Sequence, residues 1–225
     1  MLFRSPEGRI EVIQYGIPDL TNVPETNKLR DALRISPNTP IVCSVGRLTK
    51  QKGLQYGIDA FAKVLDVVPD AHYVIAGDGE LKVELQQQVR RLGLTDRIHL
   101  VGWQDDMSAV YSESDVILMP SLWEGLGLVL LEAMRQRLPI VATAVNAIPE
   151  VVVDSETGYL VPVKSTEALI PPLIKLLKSS EERQKMGQAG YERWQQQFQV
   201  ERMIASTANL YHNLLTNHNR TPSVN

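Results

Sequence analysis

Two glutamates, Glu124 and Glu132, stand in the apolar stretch "PSLWEGLGLVLLEAM", with seven residues between them. A carboxylate in so apolar a segment is costly to bury unless a hydrogen-bonding partner satisfies it. Gly125 and Gly127 follow the first glutamate, and glycines leave the backbone amides of residues 127–129 open to an approaching anion. The stretch therefore combines two acceptors for hydroxyl groups with a backbone that can bind negative charge.

The partner of Glu132 has two possible sources. Arg135 and Gln136 lie about one helical turn further on, and side chains at that spacing share one face of a helix. The alternative partners are the hydroxyl groups of a bound sugar. The residues alone leave both possibilities open.

Two basic residues, Arg47 and Lys52, lie in "SVGRLTKQKGL", between a predicted strand and a predicted helix. A helix N-terminus carries partial positive charge, so cations there are mildly unfavourable. They become favourable when an anion also binds, because backbone N–H groups and fixed cations then converge on it. The segment is either an anion site or a solvated, lysine-rich loop.

A third segment, "GDGELK", begins like a dinucleotide-binding fingerprint. It has Lys82 where the third glycine would stand, so a tight strand-to-helix turn is favoured over a dehydrogenase site.

Metal binding is not expected. His72 and His99 enter apolar strands without ligand spacing, and no Asp-x-Asp pair is present. Asp105 and Asp106 are adjacent, so their side chains should diverge. We expect neither a metal nor another cofactor.

Composition narrows the function classes. The chain has 225 residues, and its net charge of −3 argues against general nucleic-acid binding. One cysteine, Cys43, excludes an internal disulfide and suits a reducing cytoplasm. The longest apolar region, 116–134, contains two glutamates, so no transmembrane helix is predicted.

Short apolar runs alternate with longer amphipathic ones in the middle of the chain. This alternation predicts a parallel sheet with helices on both faces, which binds ligands at the carboxyl ends of its strands. The predicted strands are 41–46, 72–77, 98–102, 115–120 and 139–143, and the predicted helices are 54–69, 80–93, 107–114 and 127–137. Gly93 should cap the second of these helices.

The two ends of the chain do not show this alternation of apolar and amphipathic runs. Residues 1–39 are interpreted as an exit strand and interdomain linker, with a strand running into a turn over 10–20 and a short helix within 23–40. We place one domain over 40–216, helical from Ser165 onward. The polar tail 217–225 is predicted to be disordered.

Five blocks together resemble the donor domain of family 4 glycosyltransferases over about residues 10–200. They are "SVGRLTKQKG", "VIAGDGE", "IHLVGW", "DVILMPSLWEGLGLVLLEAM" and "PIVAT…IPEVVVDSETGYLV", in the family's order and spacing. The resemblance implies a Rossmann-like α/β domain, the nucleotide-sugar-binding half of a GT-B fold. It also implies hexose transfer with retention of configuration and without a metal.

The resemblance assigns roles to particular residues. It implies that Arg47 and Lys52 contact the donor diphosphate, and that Glu124 faces the transferred sugar; these three would be catalytic. It implies that Glu132 binds the ribose hydroxyls. The remaining contacts would come from the backbone, at Trp103 and Gln104 for the base and at Gly127, Leu128 and Val129 for phosphate.

Some positions depart from the family pattern. Arg137 and the pair Asn146–Ala147 stand where the family has small residues or glycines, and Tyr15 replaces an asparagine before Gly16. These changes concern the sugar pocket more than the diphosphate site.

The acceptor-binding half of such an enzyme has no counterpart in these 225 residues. One hypothesis is a cytoplasmic glycosyltransferase using a UDP-, GDP- or ADP-hexose, whose acceptor domain lies elsewhere and could make it membrane-peripheral. The alternative is a non-catalytic nucleotide-sugar-binding module that needs a partner chain. A Rossmann dehydrogenase is a distant third. Apolar surface should be exposed near 10–13 and 210–214.

Overall fold

Six parallel strands form the centre of the structure, a computed structural model that describes residues 10–19 and 27–218. Their order in the sheet is β3-β2-β1-β4-β5-β6, which confirms the predicted α/β fold class. The strands are β1 Ile41–Val45, β2 His72–Ala76, β3 Ile98–Gly102, β4 Val116–Met119, β5 Ile140–Thr143 and β6 Gly158–Val161.

Helices connect the strands and follow the last one. In chain order they are α1 Lys28–Leu33, α2 Leu54–Val64, α3 Lys82–Arg91, α4 Met107–Ser112, α5 Leu128–Arg135, α6 Ile148–Val151, α7 Thr166–Lys178, α8 Ser180–Gln197 and α9 Val200–His218. A short 3₁₀ turn, Lys50–Lys52, precedes α2. No described helix is long and apolar enough to cross a bilayer.

The helices cover both faces of the sheet. On one face α2, α3 and α7 pack against strand residues that include Val42 and Leu118. On the other face α4, α5, α6 and α8 pack against Cys43 and Ile117. Successive strand residues point to opposite faces and helices cover both, so most residues of each strand are apolar.

The order of the strands reverses beside β1. This strand pairs with β2 on one side and with β4 on the other, both in parallel. At such a reversal the connections leave in opposite directions, which opens a crevice at the carboxyl ends of the two strands. The loops after β1 and β4 border this crevice.

Several boundaries differ from the sequence prediction. Helix α2 ends at Val64 rather than Pro69, because the chain tightens into turns in which Asp66 N–H donates to Lys63 O. The sequence also missed β6. Gly93 caps α3 as predicted, with a φ of +70°.

At the ends of the chain the structure agrees only in part with the sequence prediction. The strand predicted over 10–20 is wrong for the described residues 10–19, which form a single bridge, from Ile17 to Gln199. Helix α1 and helices α7 to α9 confirm the helical predictions. Helix α9 runs to His218, two residues into the tail predicted to be disordered. The rest of that tail, and residues 1–9 and 20–26 of the predicted linker, lie outside the described residues.

Candidate functional site

The loops after β1 and β4 meet in an ion pair between Lys52 and Glu124. Lys52 Nζ lies 2.5 Å from Glu124 Oε2, and the two side chains are 16% and 9% exposed. Arg47 is exposed in the same loop, whereas Lys52 is largely buried. Lys52 ends the 3₁₀ turn, which turns its side chain toward the carboxylate.

A glycine allows these two loops to approach. Gly53 has a φ of +58°, and a Cβ atom there would lie 2.2 Å from the carbonyl oxygen of Pro120. Leu122 N–H also donates to Gln51 O at 2.7 Å, which fastens the loops together. A larger residue at position 53 would therefore separate Lys52 from Glu124.

Further donors surround the Glu124 carboxylate. Ser121 Oγ and Gln51 Nε2 each lie 3.4 Å from one of its oxygens. The backbone N–H of Glu124 donates to Asn146 Oδ1 at 3.2 Å, which links this loop to the one after β5. Sequence reasoning missed Ser121 and Gln51, although both lie within the motifs it singled out.

Helix α5 begins directly after this loop. Gly127 precedes its first residue in a left-handed conformation, with a φ of +73°, and no side chain caps the helix. Leu128 and Val129 occupy the first turn, where a helix leaves its N–H groups without intrahelical partners. The amides predicted to bind phosphate therefore lie at a positive helix end, close to Glu124 in sequence.

Glu132 lies on α5 and has a partner that the sequence did not predict. The hydroxyl of Tyr111, on α4, donates to Glu132 Oε2. Arg135 instead donates from Nη1 to the carbonyl oxygen of Pro18 at 2.6 Å. Among the described residues, neither Arg135 nor Gln136 forms a side-chain hydrogen bond with the Glu132 carboxylate, which accepts from Tyr111 instead.

Electrostatics fixes the direction of the Tyr111 hydrogen bond. Burial raises the pKa of Tyr111 well above its usual range, and the Glu132 carboxylate raises it further. The phenol is therefore protonated at neutral pH and donates, while the carboxylate accepts.

Trp103 and Gln104 follow β3, away from the ion pair. Trp103 is largely exposed and donates from Nε1 to Asp105, and Gln104 donates to the carbonyl oxygen of Val101. Strand β3 is two positions from β1 in the sheet, about 10 Å at the usual strand spacing. These two residues thus lie at one end of the carboxyl edge and the Lys52–Glu124 pair lies near its middle.

Within the described ranges no group of three potential ligands could hold a metal ion. His72 Nδ1 and His99 Nε2 are 2.8 Å apart and hydrogen-bond each other. Asp105 and Asp106 diverge as expected, since Asp106 instead caps α4 by accepting from Ser108 N–H.

A large cleft and the predicted site residues lie at opposite edges of the sheet. A cleft of about 930 Å³ lies at the amino ends of the strands, lined by residues that include Pro40, His72, Arg97 and His99. The cavity beside Lys52 and Ser121 is only about 10 Å³. We assign the site to the carboxyl edge, because the ion pair, the helix start and the strand reversal coincide there.

Comparison with known proteins agrees with this fold. The family model described as "Glycosyl transferases group 1" matches residues 25–193. The N-acetyl-alpha-D-glucosaminyl L-malate synthase of Bacillus anthracis is 34% identical over 191 residues, covering 85% of this chain and 50% of that protein. The chain thus spans about half the length of the curated relatives it matches.

Two crystal structures share the architecture. A glycosyltransferase from Rickettsia africae ESF-5 superposes with a TM-score of 0.84 at 21% identity. The match covers 94% of this chain and 59% of the Rickettsia chain. Anabaena Alr3699/HepE in complex with UDP-glucose gives a TM-score of 0.77 at 25% identity, covering 83% and 52%. The fold is that of one half of a GT-B glycosyltransferase, and the chain belongs to the group 1 glycosyl transferases.

Proposed function

We propose that the chain is the donor-binding half of a retaining family 4 hexosyltransferase. The observation that carries this proposal is the Lys52–Glu124 pair beside the start of α5, at the strand reversal between β1 and β4. The site joins a cation, a carboxylate and free helix amides within one crevice. A nucleotide-sugar has the complementary groups, namely a diphosphate next to a ring of hydroxyls.

The diphosphate would lie between the cations and the helix start. Arg47 is exposed and free to reach a ligand, whereas Lys52 is already oriented by Glu124. As the bond to the sugar breaks, negative charge grows on the leaving nucleoside diphosphate. Arg47, Lys52 and the amides of Gly127, Leu128 and Val129 would stabilise that charge without a metal.

The two glutamates would divide the rest of the donor. Glu124 would face the transferred sugar, where its carboxylate can stabilise positive charge developing at the anomeric carbon. Glu132 would accept hydrogen bonds from the ribose, and the backbone at Trp103 and Gln104 would lie near the base. The complex of the Anabaena relative with UDP-glucose supports a nucleotide-sugar as the donor class.

A second candidate function is a binding module without catalysis of its own. The chain spans about half of its relatives, and one half of a cleft positions one substrate. Bringing both reactants together is a large part of catalysis. This candidate keeps the same donor site but requires a partner chain for transfer.

Calorimetry with UDP, GDP and ADP in the presence of EDTA tests the donor site. We expect saturable binding of at least one nucleotide, because fixed cations and helix amides supply the positive charge. Lys52→Ala should weaken that binding about tenfold or more, the size of one hydrogen bond to a charged group. Lys175→Ala is the matched control, since Lys175 also pairs with a glutamate, Glu182, but lies on α7.

Two results would contradict the proposal. One is no heat with any of the three nucleotides, and the other is binding that appears only after magnesium is added. An equal loss of affinity in Lys52→Ala and Lys175→Ala would place the anion site elsewhere.

A further inference from the structure

We propose that Tyr111 is a positioning residue that presents the Glu132 carboxylate to the ribose of the donor. The inference rests on the ribose-binding role proposed for Glu132. It assigns to α4, which no motif marks as functional, a part in recognising the nucleoside.

The geometry of the pair supports this role. Tyr111 is only 2% exposed, and its ring packs among the residues between α4, α5 and the sheet. Its hydroxyl reaches past this apolar layer to Glu132 Oε2, on a partly exposed side chain. A buried ring with one hydroxyl has little rotational freedom, so the donor is held in a fixed place.

The hydrogen bond uses only one carboxylate oxygen. Among the described residues Glu132 Oε2 accepts from Tyr111, and Oε1 accepts no hydrogen bond. An ionised carboxylate has about four acceptor positions on its two oxygens. Anchoring Oε2 therefore leaves Oε1 in a defined orientation, available to the hydroxyls of a ligand.

Arg135 offers the carboxylate a competing position. This side chain lies within electrostatic reach of both Glu132 and Tyr111, and its Nε is buried without a partner in the described part of the chain. The Arg135–Glu132 pair is nevertheless not within ion-pair distance there. Without the Tyr111 hydroxyl, Glu132 would be free to turn toward Arg135 and away from the ligand.

The test compares nucleotides that differ by one ribose hydroxyl. Binding of UDP, 2′-deoxy-UDP and 3′-deoxy-UDP is measured by calorimetry for the wild type and for Tyr111→Phe, substituting whichever base binds best. In the wild type we expect at least one deoxy compound to bind about tenfold or more weakly. The ratio of the Kd of that deoxy compound to the Kd of UDP measures this discrimination. In Tyr111→Phe the ratio should fall to about threefold or less, because UDP loses affinity and the deoxy compound does not.

Tyr73→Phe is the matched control. Tyr73 is also a buried tyrosine whose hydroxyl makes a side-chain hydrogen bond, to Ser44 at 2.7 Å. Its loss should leave the ribose-to-deoxyribose ratio unchanged. The substitution Glu132→Ala should abolish the discrimination between UDP and the deoxy compound, and adding Tyr111→Phe to it should change nothing further, since both act through one contact.

The outcomes separate this inference from the proposed function. A wild type that binds UDP and both deoxy compounds equally would overturn the ribose role of Glu132. A wild type that discriminates, with a Tyr111→Phe variant that discriminates equally well, would overturn the role of Tyr111 alone. An equal loss of affinity for all three nucleotides in Tyr111→Phe would also overturn it, because that loss is what a merely structural residue would cause.

A measurement on the wild type keeps the inference testable if Tyr111→Phe does not fold. In protein labelled with ¹³Cζ-tyrosine, binding of UDP should shift one buried tyrosine resonance more than the weaker deoxy compound does. Identical spectra at saturation with both ligands would contradict the proposal.

Discussion

The Lys52–Glu124 pair would have one energetic role in the free protein and a second in the proposed complex. In the free protein each ion compensates the desolvation of the other, since the side chains are only 16% and 9% exposed. In the proposed complex Lys52 also faces the donor diphosphate, which brings further negative charge next to Glu124. Lys52 is therefore expected to contribute both to stability and to binding, whereas the exposed Arg47 should contribute to binding alone.

This difference predicts how single and double variants behave. Lys52→Met should lower the free energy of unfolding by about 1–3 kcal/mol, because it leaves the Glu124 carboxylate desolvated and unpaired. Lys52→Met/Glu124→Gln should regain most of that loss, and Arg47→Ala should change stability by less than about 0.5 kcal/mol. Urea denaturation measures all three. If the double variant is no more stable than Lys52→Met, the pair does not stabilise the fold.

The site shows which contacts a sequence can reveal. The placement of Arg47, Lys52 and Glu124 at one edge could be predicted because each lies between a strand and the next helix. Parallel strands bring such connecting segments to one edge of the sheet. The Tyr111–Glu132 contact could not be predicted, because it joins two helices whose relative placement depends on how each packs on the sheet.

At the level of elements, two histidines link the amino ends of neighbouring strands. Arg97 Nη1 lies 3.1 Å from His72 Nε2, and the arginine can only donate, so that nitrogen accepts. The Nδ1–H of His72 then donates to His99 Nε2. This chain of hydrogen bonds requires both rings to be neutral.

The neutral pair predicts a loss of stability in mild acid. Burial, and then the charges of His99 and Arg97, lower the pKa of His72 from 6.5 to about 4, and burial lowers the pKa of His99 as well. Between pH 6.5 and about pH 4, His72 binds a proton in the unfolded chain but not in the folded chain. Stability from this source is therefore complete above pH 6.5 and is lost as the pH falls toward 4, by at most about 3 kcal/mol for His72.

Urea denaturation between pH 7 and pH 4 measures this effect. His72→Gln should flatten the pH dependence relative to the wild type, and His212→Gln is the control, since His212 is exposed on α9. Parallel curves for the wild type and His72→Gln would show that the pair does not titrate on unfolding.

The elements also show where sequence patterns are insufficient. Five strands are predominantly apolar runs and were predicted close to their true bounds. Strand β6 begins with a glycine, which resembles a turn, but the missing side chain has a packing reason. A Cβ atom on Gly158 would lie 2.4 Å from the carbonyl oxygen of Ile140, so only glycine permits this close pairing with β5.

At the scale of the whole molecule, apolar surface is exposed where the sequence predicted it. Val12 is 85% exposed, and Leu214 and Leu215 on α9 are 57% and 68% exposed. The described part of α9 has no buried side chain, although the helix is amphipathic. Exposed apolar patches favour association with another surface.

Both this apolar surface and catalytic activity would depend on a second domain. We expect the 225-residue chain alone to transfer little or no sugar, even under conditions in which it binds a nucleotide. In the proposed function the carboxyl edge of the sheet would position the donor only, and water could compete with any acceptor there. A second domain would supply the acceptor site and exclude that water, which strengthens the electrostatic interactions of the site.

The measurement compares this chain with a fusion that adds the N-terminal half of a group 1 relative. Donor turnover is followed together with mass from light scattering. The fusion should raise turnover and suppress self-association, because we expect the added half to cover exposed apolar residues such as Val12 and Leu214. A fusion with Lys52→Ala should bind donor poorly and stay inactive, which ties any gain to this site. Efficient transfer by the monomeric chain alone would instead show that its donor site is sufficient for catalysis.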